Sequence, residues 1–203
     1  MPCGRNAIVG DEAATTRYVV GLGNPGREYA RTRHNVGFRV LNELRKRWDL
    51  PAGRRKFHSR LWTGRVGRRA VVLLAPRTYM NRSGLAVGEA TRFTRSPPEA
   101  VLVVLDDMAL PTGKLRARAT GSAGGHKGLA DVLRALGGPA VPRLRIGIGR
   151  PPDGMDAVDY VLTKFRKDEE PVIAEAVARA ADAVEQWIGE GIARVMDHYN
   201  AGQ

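Results

Sequence analysis

The chain has 203 residues, 43% of them hydrophobic, enough for one domain with a substantial core. No apolar run approaches the ~20 residues that a membrane-crossing helix needs, so no span is expected. Thirty-three Lys+Arg against 21 Asp+Glu leave a formal charge of +12, which argues for a polyanionic partner.

Residues 1–16 read as a loose N-terminal tail, small and polar, without the basic and apolar regions of a secretory signal. The only cysteine, Cys3, lies there, so no intramolecular disulfide is expected and a cytoplasmic location is the default. The folded domain is expected to be 17–203. It opens with apolar Tyr18, Val19 and Val20, then Gly21-Leu22-Gly23-Asn24-Pro25-Gly26, then a polar run to His34 and Asn35. From there Val36, Val40, Leu41, Leu44 and Trp48 recur at helical steps. The stretch reads as a buried strand, a glycine-permitted exit and a loop that ends at a helix start. Unpaired N–H groups and the helix dipole disfavour an added cation there, which suits His34 to the neutral form that takes a proton from water. Gly21, Gly23 and Gly26 also match the G-x-G-x-x-G dinucleotide fingerprint. That fold opens its helix at the third glycine, whereas here Pro25 and a polar run from Arg27 to Arg33 intervene, so the nucleotide reading is the weaker one.

Further along, strand-like segments are expected at Leu61–Val66, Ala70–Ala75, Val101–Leu105, Gly113–Ala117 and Leu144–Ile148, and helices at Val36–Trp48, Leu85–Phe93, Leu129–Leu136 and onward from Val172. Asp168 is the expected cap of that last helix, with Pro171 in its first turn. The alternation predicts an α/β fold, a single domain whose twisted, mixed, mostly parallel sheet carries helices on both faces. Basic residues cluster without acids in two blocks. One holds Arg54, Arg55, Lys56, Arg60, Arg65, Arg68 and Arg69, the other Lys114, Arg116, Arg118 and Lys127, as suits a surface that tracks phosphates.

Sites in open α/β sheets gather at the carboxyl ends of strands. Beyond the successive strand ends stand Asn24 and His34, then Tyr79-Met80-Asn81, then Asp106, then the loop Gly121–Lys127. A carboxylate at Asp106 would fix the His34 tautomer and stabilise its cation. His126 reads as a structural residue of the glycine-rich loop rather than as a base, and Asn81 as either a site residue or a helix cap. No metal is expected, because the four histidines lack ligand spacing.

Five ordered blocks, GLGNPGREYARTRHNVGF, PRTYMNRSGLAV, VLDD, GSAGGHKGL and RLRIGIGRP, make residues 17–198 resemble the bacterial-type peptidyl-tRNA hydrolases. The resemblance implies a monomeric α/β enzyme, free of cofactor and metal, that cleaves the ester between a peptide and the 3′ end of tRNA. It implies that His34 activates water, that Asp106 orients His34, and that Asn24 contacts the peptide beside the ester. Tyr29, Tyr79 and Asn81 would line the cleft, Met80 would pack against the histidine, and Arg118 with Arg145 would grip the 5′ phosphate. Lys127 stands where the family usually has asparagine, Leu105 replaces a usual polar or aromatic residue, and Ala109 a common second acid. These departures bear on substrate positioning. The alternative is a catalytically weakened RNA-binding relative, against which the joint presence of His34, Asp106, Asn24 and Asn81 speaks.

Overall fold

In the computed structural model, which describes residues 15–201, the strands are β1 (Arg17–Gly21), β2 (Arg54–Lys56), β3 (Ser59–Val66), β4 (Arg69–Pro76), β5 (Val101–Asp107), β6 (Leu115–Arg118) and β7 (Arg143–Gly147). The helices are α1 (Val36–Arg47), α2 (Ser83–Thr94), α3 (Lys127–Ala135), α4 (Ala157–Val161), α5 (Glu170–Glu190) and α6 (Ile192–Asn200). Of the expected tail, only Thr15 and Thr16 fall within the described residues. All strands join one sheet in the order β2-β3-β4-β1-β5-β7-β6. The central four run parallel, and β3 and β6 are antiparallel to their neighbours. The α/β class with a mixed, mostly parallel sheet is thus the observed one.

Two apolar layers cover the sheet. Val40, Leu41 and Leu44 of α1 and Ile173, Val177, Val184 and Trp187 of α5 pack on one face. Ala86, Val87 and Ala90 of α2 and Leu129 and Val132 of α3 pack on the other. The helical spacing read from 172 continues past one helix: Gly191, at φ 86°, breaks it, and α6 starts anew. Two elements show no apolar period, β2 because all three residues are exposed and α4 because five residues are too few to repeat one. Asp168 does not cap α5; that place falls to Glu169, whose side chain is committed elsewhere.

The connection out of β1 leads through α1 toward β4, whereas β5 leads toward β7. The crevice beyond Gly21 and Asp107 is therefore the switch point where α/β sheets place their sites. Close approach of α1 to β1 sets its shape. A Cβ on Gly37 would lie 2.5 Å from the Val104 carbonyl oxygen and 2.6 Å from the Leu22 amide nitrogen. Both neighbours are backbone and cannot swing aside. Gly37→Ala is expected to lower stability by about 1–3 kcal/mol, the usual cost of overpacking, read as a shift of the urea midpoint at unchanged slope. A variant as stable as the wild type would show that α1 can lift off the sheet without penalty.

Candidate active site

A 3-10 turn, Arg33–Asn35, carries the histidine to the mouth of this crevice, directly before α1. Asn35 anchors the turn: its side chain accepts from the Asn24 amide at 2.9 Å and donates to the Asn24 carbonyl at 2.9 Å. Asn24 in turn accepts the Met80 amide on Oδ1 at 2.8 Å. An amide hydrogen requires an acceptor, so the donor Nδ2 of Asn24 is left for the cleft, where among the described residues it has no hydrogen-bond partner. One asparagine pair thereby ties the β1 exit, the histidine turn and the segment after β4 together.

Asp106, near the end of β5, is buried and receives two imidazoles on the same oxygen. His34 Nδ1 lies 2.8 Å from Oδ1 and His126 Nε2 lies 3.1 Å from it. The tautomers follow from the outer partners. His126 caps α3, its Nδ1 accepting the Leu129 amide at 3.1 Å, so its proton is on Nε2 and points at Asp106. His34 likewise donates from Nδ1, which leaves the Nε2 lone pair on a ring 14% exposed, against 3% for the Asp106 side chain. The carboxyl is held well below the usual carboxylate range: burial pushes it up, but the His126 and His34 rings outweigh that. Ligand atoms of the three residues lie within 4.8 Å of one another, as in a metal site. A metal would need a lone pair on His126 Nε2, where the capping bond demands a proton. The trio is accordingly built as a hydrogen-bond relay.

This arrangement refines the expectation for His126. It is a hydrogen-bonded structural residue, as the sequence suggested, here as the cap of α3, and it is also the second donor to Asp106, which no spacing in the sequence revealed. Asn81 does not cap α2, since Arg82 holds that place without a side-chain bond. Instead, Asn24, His34, Tyr79, Met80, Asn81, Asp106, Lys127 and Arg145 line one cleft of about 770 Å³. Met80 is buried beneath it, and Gly128 makes room: a Cβ there would collide with the Met80 sulfur. Tyr29 is not brought to the cleft; half-buried, it accepts the Thr32 amide and hydroxyl on its carbonyl. Met108 and Ala109 of the β5–β6 connection, with Ala157, Val158, Val161 and Leu162 at α4, add an apolar wall.

A second hollow opens beside the relay, lined by Arg118, Arg143, Arg145 and the loop from Thr120 to Ala123. On the antiparallel pair β6–β7, Arg116 stands opposite Arg145 and Arg118 opposite Arg143. Like charges directly opposed across strands are destabilising, and only part of this cost is relieved internally. Arg145 pairs with Asp107, and Arg143 spends its donors on the carbonyls of Val141, Gly121 and Ser122. Burial and then the neighbouring Arg145 push the Arg143 guanidinium below its ordinary value. Arg118 is exposed, with no partner among the described residues. Among the described residues, the ladder thus keeps at Arg118 a positive charge that no carboxylate answers. The other basic block starts on β2, at the opposite edge of the sheet and roughly 29 Å from β6 at about 4.8 Å per strand, and ends with Arg69 on β4. The two blocks thus start from opposite edges of the sheet.

Comparison with known proteins matches residues 18–203 to the sequence model of the family described as peptidyl-tRNA hydrolase. A peptidyl-tRNA hydrolase of Bacillus pumilus is 47% identical over 181 residues, 89% of this chain and 96% of that one. One from Chloroflexus aggregans is 47% identical over 183 residues, 90% and 97% of the two chains. Among solved structures, peptidyl-tRNA hydrolase from Acinetobacter baumannii superposes with a TM-score of 0.87 at 36% identity, covering 95% of this chain and 98% of that one.

Proposed function

The chain belongs to the peptidyl-tRNA hydrolase family, and from that premise we infer that it hydrolyses the ester between a peptide, or an N-blocked amino acid, and the 3′ end of tRNA. The observation that carries the reading is the His34–Asp106 pair at the mouth of a cleft flanked by the arginine ladder. His34 Nε2 takes a proton from water as the water attacks the ester carbonyl. Asp106 keeps the tautomer and stabilises the imidazolium, and His126 keeps Asp106 ionised and in place. Asn24 Nδ2 is a donor suited to the peptide beside the ester or to the oxyanion that develops there. Asn81, Tyr79 and Lys127 bind the substrate over Met80.

Arg118 and Arg145 hold a phosphate of the tRNA. A monomer is the working unit of this reading. No described helix is long and apolar enough to cross a membrane, and a tRNA substrate favours a cytoplasmic setting. The direct experiment is release of deacylated tRNA from N-acetyl-aminoacyl-tRNA, with unblocked aminoacyl-tRNA as the control. No release from the blocked substrate would overturn the reading.

The phosphate contact has its own signature. Log K for tRNA is expected to fall linearly with log salt, by about 0.7–0.9 per phosphate neutralised. Arg118→Glu should flatten that slope and raise KM more than it lowers kcat. An unchanged slope would remove Arg118 from the RNA contact.

A further inference from the structure

The cleft has two ends of different chemistry. At one, Arg145 joins it to the arginine ladder. At the other stand Arg82, in the turn after β4 and three strands from β7 in the sheet order, and Lys127, whose neighbour Gly128 abuts Met80 of that turn. Both are exposed, both line the cleft, and among the described residues neither has an ion-pair partner. The carboxylates that line the cleft are engaged elsewhere, Asp106 by the two imidazoles and Asp107 by Arg145 and the Ala109 amide. Arg82 also borders a hollow between α2 and α3 with Arg92 and Arg134. The one carboxylate there, Asp131, is buried and spoken for by the Gly84 amide and Arg134. This end therefore presents uncompensated positive charge across from the apolar wall at α4.

We propose that Arg82 and Lys127 form an acid-selective subsite for the peptide moiety of the substrate, upstream of the ester. The proposal rests on the reading that the ester lies at His34 with the RNA arriving over the arginine ladder. A substrate that threads one cleft with its scissile carbonyl at Nε2 must leave its peptide on the side away from the ladder. The cations on that side then meet peptide rather than phosphate. An extended peptide advances about 3.3 Å per residue, so the first few residues before the ester pass between Asn81 and α4. Side chains on one face of that strand meet Val158 and Leu162, and those on the other meet the ammonium and the guanidinium. Lys127 only donates hydrogen bonds, so it complements a carboxylate, and it repels a cationic peptide side chain.

The test uses N-acetylated tripeptidyl-tRNAs that share the tRNA and the C-terminal residue and carry Glu, Gln or Lys upstream. The wild type is expected to rank them Glu, Gln, Lys in kcat/KM, the extremes differing by about threefold to tenfold, as exposed charge pairs allow. In the double variant Arg82→Glu, Lys127→Glu the order should reverse, whatever the overall rate. Equal values in the wild type, or an order that persists in the variant, would overturn the subsite. If these cations hold phosphate instead, the variant will raise KM for all three substrates alike and flatten the salt dependence, which also overturns it. The esterase reading fails only if the wild type cleaves none of the three, so the two failures are distinguishable.

Discussion

Replacing His34 by alanine is expected to slow release of deacylated tRNA by about 10²–10⁴-fold, the range that a positioned general base supplies, while affinity for tRNA stays nearly unchanged. The asymmetry follows from where the ring sits. Its Nδ1 is spent on Asp106 at 2.8 Å, and its exposed face looks into the cleft rather than toward the arginine ladder. Removing it deletes the proton acceptor and leaves the phosphate contacts whole, so kcat falls and KM does not rise. Asp106→Asn is expected to be intermediate, because an amide can present its N–H to His34 and favour the wrong tautomer without removing the ring. The pH dependence follows from the depressed Asp106 carboxyl. Asp106 remains ionised through mildly acidic solution, so its own protonation contributes no acid limb to kcat/KM there. The same depression stabilises the fold above the ordinary carboxylate range, and that contribution is lost as pH falls through the lowered value. A His34→Ala enzyme with most of its turnover, or an Asp106→Asn enzyme as fast as the wild type, would remove this pair from the chemistry.

How far the sequence reached depended on the range of the interactions concerned. Strands β1, β4 and β5 were legible because they are buried on both faces and read as continuous apolar runs. Helix α1 was legible because one apolar face recurs over twelve residues. His34 and Asp106 were found because each lies just past a strand that the pattern had placed. Their partners were not, since the His126–Asp106 bond spans twenty residues and the Asn24–Asn35 lock depends on the exact path of a loop. Charge clustering was silent on placement. Acid-free blocks at 54–69 and 112–127 looked like parts of one surface, yet they start from opposite edges of the sheet, and strand order is not written in local composition. On β2 the exposed Arg54, Arg55 and Lys56 instead suit an edge strand, where charge discourages pairing with another chain.

Arg33→Met is expected to cost about 3–5 kcal/mol of stability, the loss seen when one partner of a buried ion pair is removed. Arg33 precedes the catalytic histidine and is buried. Its guanidinium bonds both Glu169 oxygens, at 3.1 and 2.6 Å, donates to the Ile148 carbonyl at 3.0 Å, and lies over the rings of Tyr160 and Phe165. Burial pushes the Glu169 carboxyl up, but the Arg33 bond, the Arg166 amide and the nearby guanidinium charges hold it below its ordinary value. Without Arg33 that buried carboxylate keeps only the Arg166 amide, at 2.8 Å, and the more distant Arg166 guanidinium, at 3.8 Å. The sign in pH is fixed by the depression: the stability that Glu169 contributes is present above its unfolded value and is lost as pH falls through the folded one. Arg33→Met should therefore lose less to acid than the wild type does. Glu169→Gln should also destabilise, and the double variant should lose less than the two single losses summed, because each removes the other's stranded charge. Urea unfolding of the four proteins at neutral and acidic pH measures all three terms. Strictly additive losses under about 1 kcal/mol would show a pair open to water. The pair also reaches the chemistry. The Arg33 amide donates to the Thr163 carbonyl at 2.9 Å, and Thr32 bridges to Lys164, so the clamp fixes the His34 turn against the segment just after α4. Since α4 supplies the apolar wall of the cleft, loosening the pair should raise KM for the peptidyl substrate as well as lower the melting temperature, whereas a purely scaffolding bond would leave KM unmoved in the folded fraction.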